Sequence, residues 1–300
     1  MKHEHHRHEV KGKNLFYTIL LNVGISIAEL TGGIISGSIS LISDAIHNFS
    51  DVLSLIVSYI ANRLSKREAT EKYTFGFKRS EIIAAFLNSS TLIVFAFYIL
   101  YEAVIRLINP VEISGNLVIW LAFGSIIVNG LSVLFIRKDA EENMNMKSAY
   151  LHLFGDMMTS IAVMTGGILI KYFHLYWIDP VFSILIAIYL LYLSWNIFKS
   201  SLKIIMQFTP DNIDIRKIVK DISKINEIKN IHHIHIWQID EHDIIFEAHI
   251  DLNDNILITD FELILQTIKE ILHSKYGIHH LTLQPEFSLT DNKQVINNHN

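Results

Sequence analysis

Residues 43–51 read SDAIHNFSD and lie within a stretch, residues 39–62, that is otherwise apolar enough for a membrane-crossing helix. A charged side chain at the bilayer centre costs about 2.5–3.5 kcal/mol even on the lenient insertion scale. Asp44, His47 and Asp51 must therefore face a partner or a cavity rather than lipid. Intervals of three and four residues join Ser40, Asp44, His47, Asp51, Ser54 and Ser58 into one helical face. The partner has to come from another part of the chain.

Of the 300 residues, 50% are hydrophobic and only 18% charged, with a mean hydropathy of +0.32. That balance belongs to an integral membrane protein. The polar start, MKHEHHRHEVKGK, is not a secretory signal. Six apolar segments follow at about 14–35, 39–62, 81–104, 115–136, 147–171 and 178–200, each close to the ~20 residues that span the hydrocarbon core. Lys and Arg gather in the N-terminal arm, between the second and third segments, and between the fourth and fifth. Both termini are therefore expected in the cytoplasm. With no cysteine, any metal site must be built from His, Asp, Glu or amides. No nucleotide-binding pattern is present to power a pump, and no basic patch suggests nucleic acid.

Polar positions recur at helical spacing in the first segment (Asn22, Ser26, Glu29), the fourth (Ser125, Asn129, Ser132) and the fifth (Ser148, His152, Asp156, Thr159). The third has Asn88 and Thr91 but no central ionisable group, and the sixth has a nearly apolar middle. The first, second, fourth and fifth are thus expected around a polar cavity, with the others outside it. HLFGD, residues 152–156, is a second H-x-x-x-D and the partner sought above. Two such pairs face to face supply two imidazoles and two carboxylates, a four-coordinate set suited to Zn²⁺ with bonds of about 2.0–2.2 Å. The alternative is a pair of local His–Asp hydrogen bonds sealing the bundle. Glu29 and Asp44 suit either a proton relay or structural hydrogen bonds.

From Pro210 the composition becomes that of a soluble domain. DIRKIVKDISKI has helical periodicity, NIHHIHIWQI and IIFEAHIDL alternate as strands, and IHHLTLQPEF reads as a third strand. TDFELILQTIKEILHSKYG predicts a helix opened by a capping box of Thr259 and Glu262 and closed by Gly277. Simple alternation places His232 on the side of Ile234 and Ile236, with His233 and His235 on the side of Trp237.

Taken in order, SLISDAIHNFSD, YTFGFKRSEIIAAFLN, AYLHLFGDMMTS, WIDP and IHHIHIWQI resemble the cation diffusion facilitator family, in its zinc-exporting branch. The resemblance implies a membrane all-α six-transmembrane-helix bundle followed by a small cytoplasmic α+β (α-β-β-α-β) metallochaperone-like domain. The corresponding segments are a His-rich tail (1–13), the transmembrane domain (14–204), the cytoplasmic domain (205–288) and a second tail (289–300). It also implies a secondary transporter, not an enzyme, that exports Zn²⁺ or other divalent transition metals from the cytoplasm in exchange for protons. Such a protein acts as a homodimer in a bilayer, here a bacterial cell membrane. A passive channel or a membrane-bound metal sensor is the rival reading.

By motif, His47, Asp51, His152 and Asp156 look like the family's transport site, and Asn129 resembles a polar position of its zinc-preferring branch. His232, His249 and Glu286 align with regulatory metal ligands, with Gln284 beside them, so that Zn²⁺ is both substrate and regulatory ligand. The connection between the second and third segments holds no His, so the additional loop site of some members is not expected. His3, His5, His6 and His8 suit loose capture of cations.

Overall fold

The computed structural model describes residues 12–142, 144–290 and 292–296, with side chains described at 20–54, 56–57, 59–134, 150, 153–290 and 292–296. The N-terminal histidines and the side chains of Ser58, Ser148 and His152 lie outside these. Two compact units divide the chain. One runs to Tyr59 and resumes over Leu87–Ile197, and the other takes Ile60–Phe86 and continues from Phe198.

Six long helices make up the first two-thirds of the chain: α1 (Gly12–Ser36), α2 (Ile39–Ser65), α3 (Ser80–Ile108), α4 (Gly115–Glu142), α5 (Met144–Phe173) and α6 (Ile178–Ile205). Among the described residues, Ser80–Ile108, Gly115–Leu134, Leu153–Phe173 and Ile178–Ile205 are long and apolar enough to cross a membrane, while Leu20–Ser36 is apolar but shorter. The α2 helix is long but less apolar, since the face carrying Asp44, His47 and Asp51 is polar. On α3 and α6 the reverse holds, with Val94, Phe97, Tyr101, Leu185 and Tyr192 exposed as lipid-facing side chains would be.

Where Gly115 on α4 meets Gly167 on α5 there is no room for a side chain. A Cβ on Gly115 would lie 2.7 Å from the Gly167 carbonyl oxygen, closer than a carbon can approach, so the two backbones pack directly.

The turn between α1 and α2 aims the polar face. Gly37, at φ 75°, takes the left-handed conformation that ends α1, and the Ser38 N–H returns to the Gly33 carbonyl at 3.1 Å. Ser38 then caps α2 by accepting from the Leu41 N–H at 3.2 Å. The remaining donors meet Asp179, at the start of α6 and 1% exposed. Its carboxylate accepts from the Ile39 N–H at 2.8 Å, the Ser40 N–H at 3.4 Å, and the hydroxyls of Ser38 and Ser40 at 2.5 Å each. One anion therefore sits at the positive ends of two helices and holds them together.

In the second unit α7 (Ile215–Ile222), β1 (Ile228–Gln238), β2 (Ile244–Leu252), α8 (Ile258–Tyr276) and β3 (His280–Glu286) follow the expected α-β-β-α-β order. The strands lie β1-β2-β3, antiparallel then parallel, with α8 as the crossover that a parallel pair requires. Both helices cover one face of the sheet, where Ile218, Ile222, Ile268 and Leu272 pack on Ile231, Ile234, Phe246 and Ile250. The Lys78 ammonium bonds the Asp243 carboxylate, which holds that carboxyl below its usual range and raises the lysine above its own. The depressed carboxyl loses its contribution only on acidification, and the raised ammonium only at alkaline pH, so the link persists through neutrality.

Two expectations fail in this domain. No capping box opens α8. The helix starts at Ile258 after Leu257, which makes no side-chain cap, although Gly277 closes it at φ 66° as expected. Nor does His232 share a face with Ile234 and Ile236. His232 pairs with His249 but His235 pairs with Glu247, so three steps on β1 oppose two on β2. The extra residue, His233 at φ 52°, is a bulge that reverses the parity of the strand. His232 consequently faces away from the helices, on the side of His249.

Replacing Asp179 with Ala orphans the buried donors at the start of α2. The expected cost is about 2–3 kcal/mol, read as a lower melting temperature in detergent. Asp179→Asn keeps an acceptor in place and should lose about half as much. Equal melting of all three proteins would show that this junction does not hold the helices.

Candidate metal centres

Two groups of ligating side chains converge among the described residues: His47, Asp51 and Asp156 in the helical bundle, and His232, His249 and Glu286 in the C-terminal domain. In each, the ligating atoms lie within 4.8 Å of one another. A tetrahedral shell with bonds of about 2.0–2.2 Å separates its donors by about 3.4 Å, so a small inward movement of side chains suffices to close either group on an ion.

The helical group forms because α2 and α5 turn their polar faces toward each other. His47 Nε2 lies 3.2 Å from Asp156 Oδ1, and His47 Nδ1 lies 3.7 Å from Asp51 Oδ2. His47 and Asp156 are buried, at 3% and 5% exposure, while Asp51 remains partly open and leaves an approach. The structure thus brings together three of the four residues expected from the paired H-x-x-x-D motifs. The fourth, His152, has its side chain outside the described residues.

One turn further along α2 is a second layer of buried polar groups. The hydroxyls of Thr159 and Ser160 lie 2.9 Å from the two oxygens of Asp44, Ser160 Oγ lies 3.0 Å from Ser125 Oγ, and the Asn48 amide donates to Glu29 at 3.2 Å. Residues of α1, α2, α4 and α5 therefore share one polar seam, as the helical stripes imply. The α6 helix adds an aromatic wall: the Tyr189 ring stands edge-on to His47, with centroids 6.3 Å apart. Sequence reading missed Tyr189, because a single tyrosine in an apolar span has no signal of its own.

The second group lies on the sheet face turned away from α7 and α8. His249 Nδ1 is 2.7 Å from Glu286 Oε1, and His232 Nε2 is 3.4 Å from Glu286 Oε2. The bulge at His233 puts the fully buried His232 there, with its ring 5.4 Å from that of His249. Gln284 donates to Glu286 Oε1 at 3.0 Å, orienting the carboxylate. Asp251, whose Oδ2 lies 3.6 Å from His232 Nδ1, was not among the expected residues. Only the β2–β3 register, which pairs Asp251 with Glu286, reveals it.

Known proteins carry this combination of domains. A family model described as the cation efflux transmembrane domain matches residues 15–206, and one described as the cation efflux protein cytoplasmic domain matches residues 210–288. The chain is 37% identical over 288 residues to a cadmium, cobalt and zinc/H(+)-K(+) antiporter of Bacillus subtilis, covering 95% of this chain and 92% of that one. It is 33% identical to the metal cation efflux system protein CzcD of Cupriavidus metallidurans, over 94% and 90% of the two chains. It is 31% identical to the zinc transporter ZitB of Pectobacterium atrosepticum, over 97% and 91%.

The layer around Asp44 makes a prediction that needs no metal. Thr159→Val removes one of two hydroxyl donors from a fully buried carboxylate and is expected to cost about 1–3 kcal/mol, measured as a loss of melting temperature. In a background already carrying Asp44→Asn the same change should cost distinctly less, since the two groups act as a pair. Strictly additive losses would mean that Thr159 acts independently of Asp44.

Proposed function

The chain belongs to the cation efflux family, and on that premise we propose that it exports Zn²⁺ from the cytoplasm in exchange for protons. His47, Asp51, His152 and Asp156 are the transport ligands in this reading. The observation that carries it is the 3.2 Å approach of His47 on α2 to Asp156 on α5, inside an otherwise apolar bundle. Buried carboxylates are costly there, and a divalent cation offsets that cost. Co²⁺ and Cd²⁺ accept overlapping ligands, in keeping with the metals named for the Bacillus relative.

All six helices span the bilayer in this proposal. At 25 and 27 residues, α1 and α2 reach about 37 and 40 Å, enough for the hydrocarbon core. The polar face of α2 turns inward and so does not forbid insertion. The excess of Lys and Arg in the N-terminal arm and the even-numbered connections supports cytoplasmic termini in a bacterial cell membrane. The membrane domain then occupies residues 14–204 and the cytoplasmic domain residues 205–288, with tails on either side. The cytoplasmic domain joins two copies into a homodimer, and its His232–His249–Glu286 cluster takes Zn²⁺ as a regulatory ligand. No chemistry beyond transport is ascribed to the chain.

Coupling follows from the ligand set. Protons and Zn²⁺ compete for the same lone pairs, so loading metal releases protons and unloading takes them up. A bundle that exposes this site alternately to the two sides is then an antiporter. In proteoliposomes, zinc movement is expected to follow an imposed pH gradient and to reverse with it. Flux indifferent to the gradient would identify a channel, and no flux at all a sensor. Asp51→Ala and Asp156→Ala should each abolish transport while the protein still inserts, because each removes both a ligand and a compensating charge. His47→Asp, with a third carboxylate able to bind through one oxygen or two, should move more Cd²⁺ relative to Zn²⁺. An unchanged ratio would count against His47 as a direct ligand.

A further inference from the structure

The cluster on the sheet face already holds a cation of the chain's own. Lys293, in the segment after β3, places its ammonium 2.8 Å from Glu286 Oε2 and 2.8 Å from Asp251 Oδ1. Glu286 Oε2 is also the oxygen that faces His232 Nε2. The same segment runs along the free edge of β1, where the His233 N–H donates to the Gln294 carbonyl at 3.1 Å and the Ile234 N–H to the Val295 carbonyl at 2.8 Å. The bulge that turns His232 into the cluster thus also presents the two N–H groups that hold the tail.

We propose that Lys293 is a tethered competitor for the cytoplasmic metal site, so that Zn²⁺ entering the cluster expels the ammonium and undocks residues 292–296 from the edge of β1. This rests on reading His232, His249 and Glu286 as ligands. With neutral imidazoles, Asp251 and Glu286 carry two negative charges, of which Lys293 balances one and a divalent cation balances both. A metal bound to Glu286 and an ammonium hydrogen-bonded to the same buried carboxylate repel at close range. Val295 and Ile296 remain 36% and 55% exposed, so release gives up only part of their apolar burial. Docked and undocked states differ in whether the edge of β1 is paired, and an unpaired edge is a surface on which other strands add. Scarce zinc keeps the edge closed, and abundant zinc opens it.

The competition sets an affinity threshold. A tail docked for about nine-tenths of the time weakens apparent metal binding about tenfold. The test uses the full chain with Asp51→Ala and Asp156→Ala to silence the transport site, titrated with Zn²⁺ against a chelating dye. Lys293→Gln is expected to tighten zinc binding about tenfold. Because the chain has no cysteine, Ile296→Cys gives a single attachment point for a spin label. Saturating Zn²⁺ should mobilise that label, whereas in Lys293→Gln it should be mobile before zinc is added. Equal zinc affinity with and without Lys293, or a label unmoved by zinc, overturns the proposal and leaves the metal site standing. Unchanged zinc binding in a His232→Ala, His249→Ala double variant overturns both.

Discussion

Buried carboxylates govern the membrane half of this chain. Glu29, Asp44 and Asp179 are each no more than 1% exposed, and Asp156 only 5%, in helices whose outer faces are apolar. Each must find donors or a cation inside the bundle. That requirement brings α1, α2, α4 and α5 around one seam and joins the start of α2 to the start of α6. A buried anion with fixed donors adds to packing a directional constraint on how each helix is turned about its axis. The rotation of α2 set by Asp179 and Ser38 at one end is the rotation that presents His47 and Asp51 two to three turns later.

The two candidate centres use the same chemistry under different constraints. In the bundle, the candidate ligands come from α2 and α5, and the hydroxyls that hold Asp44 come from α5, so any movement of α5 against α2 changes the site directly. On the sheet, ladder hydrogen bonds hold the ligands in fixed register, and Gln284 and Asp251 brace the carboxylate and the imidazole. The Lys293 segment lies beside this site, held by backbone hydrogen bonds to β1 and two ion pairs.

The bulge at His233 connects local backbone geometry to both ligand placement and tail docking. A regular strand would bury His232 among isoleucines beneath α7 and α8, where an imidazole has no partner. One inserted residue returns Ile234 and Ile236 to the core and leaves His232 facing Glu286. The cost is a positive φ at a residue other than glycine. Satisfying both the core and the cluster from one strand requires that departure.

Much of this was legible in the residues themselves. Apolar segment lengths, the three-and-four spacing of polar positions and the repeated H-x-x-x-D depend on helical periodicity alone, and they located the seam and brought His47, Asp51 and Asp156 together. Strand alternation and turn residues likewise yielded the α-β-β-α-β order. What the sequence could not decide were relations between distant residues with no period of their own. Asp179 acts through hydroxyls 139 and 141 positions away, Tyr189 reaches His47 across a helix pair, and Lys293 meets Asp251 from 42 positions away. The side on which His232 stands was equally out of reach, because alternation assumes a regular strand. A bulge is chosen by what the strand must bury on each face, and only the packed sheet specifies both faces at once.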